Sequence, residues 1–76
     1  MAANAFILVE TVVGRSKEVA SVLKQLDGMK SVDLVTGPYD VIIVIETESL
    51  TDIGDLVTSK IHPIPGISRT VTCVAY

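Results

Sequence analysis

The feature that most constrains the fold of this chain is a short turn, residues 37–40, between two segments of high β propensity. The turn has the sequence Gly-Pro-Tyr-Asp, with residues 32–36 before it and the apolar residues 41–45 after it. Strands joined by so short a connection pair antiparallel as a hairpin. Turns favour Gly, Pro and Asp in any protein, so a plain hairpin turn explains these residues. The same turn also places a phenol and a carboxylate at one exposed corner, which suits a small polar ligand.

The strands of this hairpin are residues 32–36 and 40–46. Hydrophobic spacing predicts one strand and one helix before the hairpin, and one helix and one strand after it. The first strand is residues 5–13 and the last is residues 67–76. The first helix begins at Ser16 and ends at Gly28, and its apolar stripe is Val19, Val22, Leu23 and Leu26.

The second helix is predicted to begin at Ser49, because Asp52 three residues later makes a variant of the capping box. Pro63 and Pro65 end this helix and turn the chain. Its buried stripe is predicted to be Ile53, Leu56, Val57 and Ile61.

The resulting order is βαββαβ, which predicts an α+β fold of the ferredoxin-like type in one domain, residues 1–76. Right-handed crossovers place both helices on one face of a four-stranded antiparallel sheet, with the first and third strands in the middle. Residues 6–9 and 41–45 are apolar at both alternating sets of positions, although a sheet with one solvated face should alternate apolar and polar residues. We therefore expect a second copy to cover the face without helices, giving a homodimer that packs sheet against sheet.

Composition argues against several classes of function. The net charge is -3, whereas direct binding of nucleic acid requires a basic surface. The apolar start of the chain is too short to span a membrane, and a single cysteine is consistent with a cytoplasmic protein. With one His and one Cys, the sequence predicts no metal site, no cofactor and no catalytic residues. We expect His62 to be a helix-end residue and Cys73 to be a small buried hydrophobe.

A second polar feature is the alternating set Ser68, Thr70 and Thr72 in the last strand. Threonine is common in strands, so β propensity alone accounts for the pattern. If this set met the turn across a subunit contact, amides and hydroxyls would hold a carboxylate while Asp40 held an ammonium group. These are the two charged groups of a free amino acid.

Two strings of residues carry a resemblance to a known family. The segment Val-Thr-Gly-Pro-Tyr-Asp-Val at 35–41 and the segment Ile-Pro-Gly-Ile-Ser-Arg-Thr-Val-Thr at 64–72 resemble the effector-binding domain, or RAM domain, of the Lrp/AsnC transcription regulators. The resemblance covers residues 5–76. It implies a ferredoxin-like domain that dimerises through its sheet, assembles further into rings of dimers, and binds amino acids at contacts between dimers.

By matching position, the resemblance implies that Gly37, Tyr39 and Asp40 form one wall of the effector site, joined by Thr70 and Thr72. The helix-turn-helix domain of such regulators is absent from this sequence, so we expect a stand-alone domain that binds a free amino acid and has full-length regulators as partners. Two alternatives remain: a structural partner subunit without a ligand, and a small dimeric αβ-barrel enzyme.

Overall fold

The order of elements predicted from the sequence is the order found in the computed structural model, which describes residues 3–75. The elements are β1 (Ala3–Thr11), α1 (Ser16–Lys24), β2 (Met29–Leu34), β3 (Val41–Thr47), α2 (Leu50–Leu56), a π-helical turn (Val57–Ile61) and β4 (Ile67–Ala75). Tyr76, the predicted end of the last strand, lies outside the described residues.

The four strands form one antiparallel sheet in the order β2-β3-β1-β4. The first and third strands therefore lie in the middle, as predicted. Val9 of β1 pairs with Val41 of β3, and Ile7, two residues before Val9, pairs with Ile43, two residues after Val41. This register places the odd-numbered residues of both central strands on the same face of the sheet.

Both helices cover that one face. The odd-numbered residues of the central strands and the apolar stripes of the helices form a single cluster, so the predicted arrangement of helices is confirmed. The fully buried side chains that fill it are Ile7, Val9, Val19, Leu23, Val41, Ile43, Ile45 and Ile61.

The opposite face carries no helix among the described residues, and we call it the open face. It is formed by the even-numbered residues of β1 and β3 and by the β4 residues that pair with them. Phe6 at its centre is 43% exposed, and Leu8, Ile42, Val44 and Val71 are half-buried. Cys73 pairs with Phe6 and is exposed, so the prediction of a buried cysteine is wrong for the single chain, because its position in the strand faces away from the helices.

The helix predictions are confirmed in their starts and corrected in detail. The Asp52 backbone N–H donates to Ser49 Oγ at 3.2 Å, which caps α2 as the capping pattern predicted. α1 ends at Lys24, before the predicted stop at Gly28. Its buried side includes Ala20, whereas Val22 is 39% exposed.

The second helix widens before it ends. Ile53 in α2 and Val57 and Ile61 in the π-helical turn are buried, as the predicted stripe required, and Leu56 is half-buried. The His62 N–H donates to Val57 O at 2.9 Å, across five residues rather than the four of an α-helix. Pro63 follows, and because it has no backbone N–H the helix cannot continue.

β1 and β2 begin before their predicted starts, at Ala3 and Met29. The predicted strand boundaries are also wrong at the other end of the sheet. β2 ends at Leu34, so residues 35–40 form a six-residue connection in place of the predicted four-residue turn. The Val35 N–H donates to Asp40 O at 2.9 Å and closes this loop on itself. β1 likewise ends at Thr11, after a register shift at Glu10 and Thr11 in its pairing with β4.

Ile43 provides a test of the core. Its side chain is fully buried in the middle of the sheet, so Ile43→Ala should lower the free energy of unfolding by about 2–5 kcal/mol through lost burial and a residual cavity. Val13→Ala is the control, because Val13 is 99% exposed and its truncation should change stability by less than about 0.5 kcal/mol. Urea unfolding measures both values. Equal effects for the two variants would contradict the assignment of the core.

Candidate functional site

The candidate site lies at the end of the sheet where three connections converge. β1 ends at Thr11 opposite Ile67, the start of β4, and β2 ends at Leu34 opposite Val41, the start of β3. The loops at residues 12–15, 35–40 and 62–66 therefore all leave the sheet at this end. Loops at one end of a rigid sheet are a common place for binding residues.

Asp40 fastens the 35–40 loop to the neighbouring strand. Its backbone N–H donates to Val9 O at 2.9 Å, and its carboxylate Oδ2 accepts from Thr11 N at 2.8 Å and from Thr11 Oγ1 at 3.1 Å. A carboxylate that accepts two such hydrogen bonds holds its partners firmly in place. Asp40 is therefore a structural link as well as a candidate ligand contact, and its second oxygen, Oδ1, makes no hydrogen bond to residues 3–75.

The part of the 35–40 loop that precedes Asp40 is accessible to a ligand. Gly37 is exposed, and no described atom lies within 4 Å of the place where a Cβ would stand. The half-buried Tyr39 presents its ring to Arg69 of β4, whose guanidinium carbon lies 5.9 Å from the ring centroid. An Arg69 Nη2–H donates to the Tyr39 hydroxyl oxygen at 3.4 Å.

Arg69 belongs to a polar cluster at the edge of the open face, which we call the Arg69 cluster: Glu10, Tyr39, Ser68 and Arg69. Arg69 and Glu10 are cross-strand partners on the face that carries Phe6 and Leu8. Arg69 Nη2 lies 3.9 Å from Glu10 Oε2, and the Ser68 hydroxyl donates to Glu10 O at 3.0 Å. The predicted turn residue Tyr39 is thus joined to the rim of the open face.

Thr70 and Thr72 lie on the other side of β4. They pair with Val9 and Ile7, whose side chains face the helices, so the sheet separates both threonines from the Arg69 cluster of the same chain. Thr70 Oγ1 lies 3.0 Å from His62 Nε2. His62 is exposed and follows the π-helical turn directly, which is the helix-end position predicted for it. Gly37, Tyr39 and Asp40 share one loop, and no hydrogen bond among residues 3–75 joins either threonine to them.

A groove with a volume of about 330 Å³ lies elsewhere, between the end of α1 and the second helix. Leu26 and Leu56 form its apolar part, and the polar side chains around it are all exposed. The Ser59 hydroxyl donates to Asp55 O within the same helix, and no hydrogen bond among residues 3–75 joins polar groups across the groove, so it is a weaker candidate than the loop end of the sheet. The described residues contain no cluster of three or more metal-ligating side chains, and no helix within 3–75 is long and apolar enough to cross a membrane.

Comparison with known proteins assigns this arrangement to a family. The model of the Lrp/AsnC ligand binding domain matches residues 4–76. The chain belongs to this family of Lrp/AsnC ligand-binding domains. The resemblance carried by the two sequence strings is thereby confirmed.

The relatives of this Lrp/AsnC domain are transcription regulators and small solved domains. The HTH-type transcriptional regulator FL11 from Pyrococcus horikoshii is 38% identical over 70 residues, which are 92% of this chain and 46% of FL11. The chain spans between 40% and 46% of the length of the curated relatives that it matches.

Two solved structures are similar over nearly their whole length. FFRP-DM1 is 36% identical with a TM-score of 0.91, and the match covers 97% of this chain and 99% of that one. The hypothetical protein PHS023 from Pyrococcus horikoshii is 37% identical with a TM-score of 0.90, and the match covers 100% of this chain and 90% of that one.

Sequence reasoning missed three contributors to the site: Glu10, Thr11 and Arg69. One signal was available for Arg69, because it is the charged residue in the otherwise apolar alternating set of the last strand. The pairing of Arg69 with Glu10 and of Asp40 with Thr11 spans 59 and 29 residues of sequence respectively, counted from their positions. Contacts of that separation depend on strand register, which spacing within one segment does not specify.

Asp40→Ala should lower the free energy of unfolding by about 1–3 kcal/mol, because the Thr11 N–H and hydroxyl lose a charged acceptor. Asp33→Ala is the matched control, since Asp33 is exposed on β2 and its change should cost less than about 0.5 kcal/mol. Chemical denaturation of both variants measures the difference. If Asp40→Ala is as stable as Asp33→Ala, the carboxylate does not fasten the loop.

Proposed function

We propose that this domain binds a free amino acid at contacts between subunits and thereby modulates transcription regulators of amino-acid metabolism, without enzymatic activity. One observation carries the proposal. The polar loop end of the sheet is exposed, is fastened by Asp40, and lies directly beside the open face, which no helix among residues 3–75 covers. The ligand-binding domain match and the regulator relatives support the same function.

A solved structure with the same fold gives one example of the ligand class. The transcriptional regulator NMB0573 from Neisseria meningitidis was solved in complex with L-Met. That chain is 16% identical to this one with a TM-score of 0.85, so the likeness concerns the fold. It supports an amino acid as the class of effector to test here.

The chemistry of an amino acid suits the groups at the loop end. Its carboxylate requires N–H and O–H donors, and its ammonium group requires a carboxylate or carbonyl acceptor. Gly37, Tyr39 and Asp40 of one copy form one wall, with Asp40 Oδ1 turned to the ammonium group. Thr70 and Thr72 of another copy supply hydroxyls, because no hydrogen bond among residues 3–75 joins them to the turn of their own chain.

The open face supplies the self-association that such a shared site requires. Phe6, Leu8, Ile42, Val44 and Val71 form a contiguous apolar surface across three strands. Exposed patches of this kind mark interfaces, and a second copy of the same sheet offers a self-complementary partner. We propose that the chain forms a homodimer through this face, that dimers assemble further, and that full-length regulators of the family are further partners.

Thermal unfolding of the wild-type protein against a panel of L-amino acids should show a selective increase in Tm, because a ligand at 100 times its Kd adds about 2.7 kcal/mol of stability. The D-enantiomer of each hit is the control for ionic and solvent effects, and size-exclusion light scattering reports any change of assembly. If no amino acid raises the Tm while a stable oligomer persists, the structural partner subunit replaces the effector-binding function.

A single charged substitution tests association through the open face. Phe6→Asp should dissociate the dimer, because it places a charge at the centre of an apolar contact. Val22→Asp is the matched control: Val22 is 39% exposed on α1 and Phe6 is 43% exposed, and both changes add one negative charge. Light scattering at equal concentration should give a lower mass for Phe6→Asp alone. An unchanged mass for Phe6→Asp would show that the chain associates through another surface.

A further inference from the structure

We propose that Arg69 binds the carboxylate of the ligand at the loop-end site and thereby selects carboxylates over neutral ligands. The ligand carboxylate replaces Glu10 as the partner of the Arg69 guanidinium. The inference rests on the proposed function in that it gives the charged donor of the same site. It assigns to Arg69 a role that neither the sequence strings nor the comparisons give to this residue.

The hydrogen bonds of Arg69 leave most of its donors free. A guanidinium group carries five N–H donors. Within residues 3–75, this group makes one hydrogen bond, the 3.4 Å contact with the Tyr39 hydroxyl oxygen. Its side chain is 62% exposed, so the remaining donors face solvent, where a bidentate carboxylate can reach them.

The ion pair with Glu10 is loose. The separation of 3.9 Å between Arg69 Nη2 and Glu10 Oε2 exceeds hydrogen-bonding distance. The Ser68 hydroxyl lies 3.4 Å from Glu10 Oε1 and 3.0 Å from Glu10 O, so Glu10 has a partner of its own. A half-exposed pair at this distance contributes little, and an incoming carboxylate with better geometry exchanges for it at small cost.

Tyr39 completes the subsite. Its hydroxyl oxygen accepts from Arg69, which leaves the hydroxyl hydrogen available to donate to the same carboxylate. The ring beneath the guanidinium, 5.9 Å from its carbon, limits where the group can point. Arg69 and Tyr39 thus present a charged and a neutral donor on one side of the loop, at the edge of the open face.

Another arginine at this end of the sheet already has an acidic partner. Arg15 ends the 12–15 loop, and its guanidinium pairs with Glu18 of α1 at 3.2 Å. Like Arg69, Arg15 is about half exposed, at 51% of its side chain. Arg15→Gln therefore gives a control with the same loss of charge outside the Arg69 cluster.

The test uses acetate and acetamide as probes, since they have nearly the same shape and differ in charge. NMR titration of the wild-type protein should show saturable shifts of the Arg69 Nε–H and Tyr39 ring signals with acetate and none with acetamide. In Arg69→Gln the Kd for acetate read from the Tyr39 ring should rise about tenfold or more, the value of a lost charged hydrogen bond. Arg15→Gln should leave that Kd unchanged.

Glu10→Gln provides a gain of affinity that a loss of folding cannot imitate. The glutamine still accepts from Ser68 but no longer competes for Arg69, so the Kd for acetate should fall a few-fold. Equal shifts with acetate and acetamide, or an Arg69→Gln protein that retains the wild-type Kd, would overturn the assignment.

Acetate has no ammonium group, so its binding does not depend on recognition of an amino acid. If acetate binds as described but no amino acid raises the Tm, the Arg69 subsite stands and the proposed effector is wrong. If an amino acid raises the Tm equally in wild type and Arg69→Gln, the effector stands and the role of Arg69 is overturned.

Discussion

The structure depends on a sheet that is apolar on both faces while both helices cover only one of them. The central odd-numbered residues of β1 and β3 are fully buried under the helices: Ala5, Ile7, Val9, Val41, Ile43 and Ile45. On the opposite face, Phe6 and its even-numbered neighbours are partly exposed. Within residues 3–75 no further element covers the second face. In the proposed homodimer a second copy covers it, and a shared ligand site then lies at the rim of that contact.

The 35–40 loop at the end of the sheet is held in place by hydrogen bonds, and its tip is exposed to solvent. Asp40 joins the 35–40 loop to Thr11 through its carboxylate, so the loop is held even though Gly37 and Pro38 are exposed. Arg69 joins Tyr39 of that loop to Glu10 on the open face. In the proposed homodimer, a ligand that engages Tyr39 and Arg69 acts at the rim of the covered surface, which gives the proposal a direct physical route from binding to assembly.

The sequence predicted the fold more completely than the site. The helix starts at Ser16 and Ser49, the central positions of β1 and β3 and the uncovered face all follow from periodicity and capping. The end of β2 at Leu34 does not, because Val35 and Thr36 have β propensity but belong to a loop closed by a bond between Val35 and Asp40. Local propensity yields to such tertiary contacts.

For the site, the turn residues were visible as a motif, whereas the partners of Asp40 and Tyr39 depend on strand register. Glu10 meets Arg69 because β1 and β4 pair in the register that also aligns Phe6 with Cys73, and the shift at Thr11 comes only after this pair. Cys73 was expected to be a small buried hydrophobe, and the same register turns it to the open face, where it is exposed. A shift of one residue in the register moves each side chain of a strand to the other face of the sheet.

The central claim is that a second copy covers the open face, and sedimentation of the wild-type protein across a range of concentrations tests it most directly. The mass of one chain is 8.1 kDa. The account predicts a dimer or a multiple of dimers at micromolar concentration, with the single-chain species absent. A protein that sediments as one chain throughout the range would contradict it, because the apolar face would then be stable in water without a partner.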